Sequence, residues 1–139
     1  MQIPAFSIFS AVSELLVTAG VLYVIRRNWT GKAFPLAVFL TVALFEALVN
    51  VLYMATRSAQ AATGAHDLSV GMKVFFAAHG MLSLIAYLVF VILGVFAYQE
   101  QKDGRFFFRE RPLLTWSFLV VWAVSIVSGE ALFVLRYLV

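Results

Sequence analysis

An all-α integral membrane protein, a four-helix bundle running up-down-up-down with both termini outward, is the fold this sequence predicts. Three observations predict it. Hydrophobic residues make up 63% of the chain and charged residues only 12%, with a mean hydropathy of +0.97, whereas soluble domains carry about 25% charged residues. Four apolar segments, about 5–25, 33–56, 72–98 and 112–137, are each long enough for the roughly 20 residues that cross a hydrocarbon core of about 30 Å. The connections between them are short, which favours antiparallel sequential neighbours. Together the segments use nearly all of the 139 residues, so residues 1–139 form a single transmembrane domain.

The first segment begins after Met1-Gln2-Ile3-Pro4, which has no basic n-region. The segment is also too long for a signal h-region, and it is expected to be retained. The first connection, Arg26 to Lys32, is basic and contains Trp29. The second runs from Arg57 past His66 and Asp67 to Gly71, and the third from Gln99 to Arg111 around Phe106-Phe107-Phe108. Trp29, Trp116 and those three phenylalanines suit a membrane interface.

Orientation follows from the Lys/Arg bias. The first and third connections hold Arg26, Arg27, Lys32, Lys102, Arg105, Arg109 and Arg111, against Arg57, Lys73 and Arg136 on the other side. That bias places the first and third connections in the cytoplasm, and the chain is expected to be a multi-pass protein of a bacterial or archaeal inner membrane. The net charge of +3 belongs to these loops, so no nucleic-acid partner is expected. Cysteine is absent, which removes disulfides, thiolate metal sites and cysteine nucleophiles. There is no nucleophile with a base and oxyanion hole, and no phosphate-binding glycine loop.

Each predicted helix carries one ionisable side chain deep inside: Glu14, Glu46, His79 and Glu130. Such residues cost at least about 2.5 to 3.5 kcal/mol each on insertion scales and mark function by default. Counted from the outer ends at 1.5 Å per residue, all four lie roughly 10 to 16 Å deep. Helical spacing extends the layer into polar stripes: Ser7, Ser10, Glu14 and Thr18; Glu46, Asn50, Tyr53 and Arg57; His79, Ser83 and Tyr87; and Glu130 with Tyr137. Gly20, Ala78, Gly80, Ser125 and Gly129 are small enough to let helices approach closely.

Three carboxylates in a low-dielectric layer need a cation or protons, and no lysine or arginine lies at that depth. A metal reading makes Glu14, Glu46, His79 and Glu130 the ligands of one transition metal ion, with Asn50, Tyr53 and Ser83 as hydrogen-bonding support. Carboxylate and imidazole suit iron, manganese or zinc, and copper less distinctively. No HExxH or ExxH spacing accompanies them. Haem fits less well, because His79 is the one histidine inside a predicted span. The alternatives are a proton relay or quinone-headgroup site of protonated carboxyls, and interhelical glue worth about 0.6 to 2 kcal/mol per hydrogen bond. His66 reads as a solvated turn residue, and Met54 and Met72 as interfacial packing.

Val74-Phe75-Phe76-Ala77-Ala78-His79-Gly80-Met81-Leu82, with Trp116 and Ser128-Gly129, resembles a family of small four-helix bacterial membrane proteins associated with cytochrome oxidase biogenesis. The resemblance spans most of the chain but rests on short motifs. The family carries further histidines where this chain has Lys32 or Ala33, Arg57 and Arg109, so only His79 matches as a ligand. The resemblance implies a respiratory-chain accessory or metal-handling role. The competing class is a non-catalytic subunit of a larger membrane complex, or a homo-oligomer.

Overall fold

A computed structural model describes residues 5–62 and 70–137; within these ranges the side chains of Phe6, Ser7, Tyr53, residues 56–62, Met72, Arg136 and Tyr137 lie outside the description. The chain is all-α and 90% helical. In order, the helices are α1 (Ala5–Trp29), α2 (Leu36–Ala62), α3 (Val70–Lys102), α4 (Phe107–Glu110) and α5 (Pro112–Tyr137). Among the described residues three stretches are long and apolar enough to cross a membrane: Ile8–Trp29, Lys73–Lys102 and Pro112–Leu135. A shorter apolar stretch, Leu36–Leu52, occupies α2.

The helix ends follow local chemistry. Gly31 at φ 79° and Gly104 at φ 77° adopt the left-handed backbone that ends α1 and α3. Pro112 opens α5 at the position where a missing N–H costs nothing. α1 and α3 outrun the segments expected from hydropathy, whereas α5 spans the same residues, 112–137, and α2 begins later, at Leu36. α1 continues to Trp29 and α3 to Lys102, because the helical backbone does not stop where the apolar residues stop.

Contacts join α1 to α2, α2 to α3, α3 to α5 and α5 to α1. Buried positions fall on one stripe of each long helix: Ser13, Val17, Val21, Val24 and Asn28 on α1, and Thr115, Phe118, Trp122, Ser125 and Leu132 on α5. Spacings of three and four residues keep such positions on one face. The core is aromatic at its centre. Phe90 packs at 5.2 Å from Phe39, 6.0 Å from Trp122 and 6.2 Å from Phe118, ring centroid to ring centroid. Phe39 reaches α3 because Gly94 leaves the room; a Cβ there would collide with its ring. The opposite faces are apolar and exposed, with Leu16, Leu44, Val51, Leu113 and Val127 all more than 60% accessible. Water does not tolerate that much contiguous apolar surface on a stable monomer, and a lipid bilayer does.

One expectation is corrected. Phe107 and Phe108 are not interfacial belt residues: they are buried within α4, which lies against α1, α3 and α5. Asn28, fully buried near the end of α1, holds this short helix in place. Its Oδ1 accepts the Phe108 N–H at 2.9 Å, and its Nδ2 faces Gln101 Oε1 at 3.5 Å. Thr115 donates to the Phe108 carbonyl at 2.9 Å, and Arg111 forms a two-pronged ion pair with Glu100 at 3.0 Å. A single Asn supplies the acceptor that turns a loop inward, a contact that hydropathy does not reveal.

Candidate functional site

Glu14, on α1, is one of four ionisable residues, with Glu46, His79 and Glu130, that come from four different helices. Its carboxylate lies in electrostatic range of Glu46 and Glu130. It also shares a gap with His79 at Gly129, where a Cβ would stand 2.9 Å from His79 Cε1 and 3.3 Å from Glu14 Oε2. A glycine on α5 therefore leaves a gap bordered by both an α1 carboxylate and an α3 imidazole.

The imidazole is held by hydroxyls from α3 and α5. Nδ1 lies 2.7 Å from Ser128 Oγ, and Nε2 lies 3.4 Å from Ser83 Oγ. Ser83 also bonds Ser125 Oγ at 2.8 Å, and Ser128 donates to the Ser125 carbonyl at 2.8 Å. Glu46 is buried, and Asn50 one turn along donates to its Oε1 at 3.1 Å and to its carbonyl at 2.8 Å. Glu130 is half-buried, and its Oε1 is sealed from solvent with no hydrogen-bond partner among the described residues.

One turn farther into the bundle, a second set of bonds ties the helices together. Trp122 Nε1 of α5 donates to Thr18 Oγ1 at 3.1 Å, while Thr18 donates to the Glu14 carbonyl at 2.8 Å. The Tyr87 hydroxyl of α3 donates to the Ala43 carbonyl of α2 at 3.0 Å. Beyond that belt lie Val21 and Val24 of α1 and the rings of Phe39, Phe90 and Phe118, all buried. The ionisable layer therefore has an apolar floor, and no polar side chain from it continues through the centre of the bundle among the described residues.

Ser83 and Asn50, which helical spacing puts on the faces of His79 and Glu46, each bond the ionisable residue on their own helix. Helical spacing puts Tyr87 on the His79 face, but its hydroxyl turns to α2. Ser128 and Ser125, small α5 residues with no ionisable group, both belong to the His79 network. Their i, i+3 spacing on α5 was the available signal. The contribution of Tyr53, and those of Ser7, Arg57, His66, Met72 and Tyr137, lie outside the described side chains.

Among the described residues no group of three or more His, Asp or Glu is placed to hold a metal ion. The reason is physical. Both imidazole nitrogens face hydroxyls, and three carboxylates in one layer repel unless protonated or bridged by a cation. Among the described residues no Lys or Arg pairs with these carboxylates; the ion pair found there is Arg111 with Glu100, at the far end of the bundle.

Comparison with protein-family models, curated proteins and solved structures finds no match to this chain.

Proposed function

We propose that this chain is a four-span inner-membrane protein, up-down-up-down with both termini outward, whose Glu14, Glu46, His79 and Glu130 layer binds and exchanges protons from one side of the membrane. The observation that carries the reading is Glu14, a carboxylate in electrostatic range of Glu46 and Glu130, with no ion pair to any of the three among the described residues. Protons neutralise such a cluster without a counter-cation, and a protonated carboxyl can donate to a neighbouring carboxylate, to His79 or to a quinone oxygen. The sealed Glu130 Oε1 fits the same chemistry, because an ionised oxygen without a partner is costlier to bury than a neutral one. The aromatic floor makes the site one-sided, so the chain serves as a proton-accepting or headgroup-binding pocket rather than a transmembrane proton channel. The sequence resemblance supports a respiratory setting, either as an accessory factor or as a subunit of a larger membrane complex.

Four spans with alternating direction are supported by the pairing of residues. Glu14 lies beside Gly129 and Thr18 beside Trp122, while Tyr87 meets Ala43. The seven-to-three Lys/Arg bias supports the outward termini.

A second reading is favoured by the convergence of Glu14 and His79 on Gly129. A transition metal ion (iron, manganese, zinc or copper) would use those two groups, with Glu46 or Glu130 swung in as a third ligand. Infrared difference spectroscopy on purified protein, combined with metal analysis, separates the two. A metal-free protein with a carboxylic-acid C=O band that responds to pH and is lost in Glu14→Gln supports the proton site. Stoichiometric metal that is lost in both Glu14→Gln and His79→Ala, with no titrating carboxyl band, replaces it with the metal site.

A further inference from the structure

A second, unrelated site lies at the other end of α1. A pocket of about 170 Å³ is lined by Tyr23, Arg26, Arg27, Thr30 and Lys32. Three cations, a phenol and a hydroxyl line it, and no carboxylate does. The geometry points to a binding site for the phosphodiester headgroup of an anionic phospholipid.

Arg27 forms the fixed wall. Its Nε donates to the Ala33 carbonyl at 3.0 Å, and a terminal nitrogen reaches the Tyr23 hydroxyl at 3.5 Å. Its guanidinium stands 6.0 Å over the Tyr23 ring. Arg26 and Lys32 are exposed and make no side-chain hydrogen bond or ion pair among the described residues. Two unpaired cations beside a third that is anchored make an anion site, since a phosphodiester accepts charge-assisted bonds from several donors.

The surroundings select a lipid over a free anion. The pocket sits where the apolar stretch Ile8–Trp29 ends, the level at which Tyr and Arg meet headgroups. Exposed Leu15, Leu22 and Arg26, with Ala19 between, recur at helical spacing on one face of α1, with exposed Leu16 and Tyr23 beside them. An acyl chain lying along Leu15, Leu16 and Leu22 would deliver its headgroup into the pocket. Basic pockets beside membrane helices are a recognised route to headgroup binding.

The full chain, purified in detergent and then reconstituted into phosphatidylcholine nanodiscs with or without phosphatidylglycerol, provides the test. Native mass spectrometry should show phosphatidylglycerol retained over phosphatidylcholine. Arg26→Gln and Lys32→Gln should each weaken that retention about fivefold, the equivalent of about 1 kcal/mol per basic residue near an anionic surface. Arg26→Lys and Lys32→Arg should keep most of it, which separates lost charge from misfolding. Arg105→Gln removes one charge at the same end of the molecule but outside the pocket, and should leave retention close to wild type. Equal losses in Arg105→Gln and Arg26→Gln would overturn the site in favour of diffuse surface charge. Displacement by inorganic phosphate at the lipid's own concentration would make it a free-anion site, and equal retention of the two lipids would remove it altogether.

Discussion

Gly129 of α5 lies directly against the His79 ring of α3: a Cβ on the glycine would stand 2.9 Å from Cε1 and 3.1 Å from Nε2. The two helices meet there only because α5 presents no side chain, and the Glu14 carboxylate enters the same gap. Gly129→Ala must push the ring or the carboxylate aside. Overpacking of that kind costs about 1 to 3 kcal/mol, against about 0.5 to 1 kcal/mol gained from replacing a helix glycine. The expected outcome is a lower thermal midpoint in detergent. Gly80→Ala, where a Cβ meets nothing within 4 Å, should hold or raise the midpoint.

Ser128 supplies the shorter of the two hydroxyl contacts to His79, at 2.7 Å against 3.4 Å for Ser83. Ser128→Ala should therefore perturb the imidazole more than Ser83→Ala does. The loss of one such bond is worth about 0.5 to 1.5 kcal/mol. The nitrogen chemical shifts of labelled His79 provide the readout, and the larger change should come from Ser128→Ala.

Asn28 is completely buried, and its Oδ1 is the acceptor for the Phe108 N–H. Asn28→Ala leaves that N–H without its partner in the interior, at a cost of about 1 to 3 kcal/mol. Limited proteolysis should then cut faster within residues 103–111, while the spans stay protected. Unchanged cleavage would mean that α4 is held by the packing of Phe107 and Phe108 alone.

The ion pair of Arg111 with Glu100 should contribute far less. Its side chains are 39% and 21% accessible, and pairs of this exposure contribute about 0.2 to 1 kcal/mol. A double-mutant cycle with Arg111→Gln and Glu100→Gln should return a coupling in that range, smaller than the Asn28→Ala loss.

The membrane character of the chain was legible from composition, because lipid-facing helices must be apolar whatever their partners. The ionisable residue in each helix was equally legible, since a single Glu or His stands out in an apolar run. How those residues meet was not legible. Periodicity placed Ser83 with His79 and Asn50 with Glu46, relations within one helix that a 3.6-residue repeat dictates. Ser128 on His79, Glu14 across Gly129 and Tyr87 on the Ala43 carbonyl are relations between helices, set by rotation and crossing. The burial of Phe107 and Phe108 was hidden for the same reason, as it depends on an acceptor 80 residues away in the chain.

By itself, then, the sequence determined that α1, α3 and α5 are long apolar helices and that Glu14, Glu46, His79 and Glu130 each interrupt one apolar segment. Local composition and helical repeat suffice for that. Only the tertiary structure decided that Glu14 and His79 border one gap at Gly129 and that hydroxyls lie within reach of both nitrogens of His79. It also decided that an aromatic floor closes the layer on one side. Each of these is settled by which helix faces pack together, a choice made by shape at Gly129 and Gly94 and by hydrogen bonds between distant segments, not by any local run of residues.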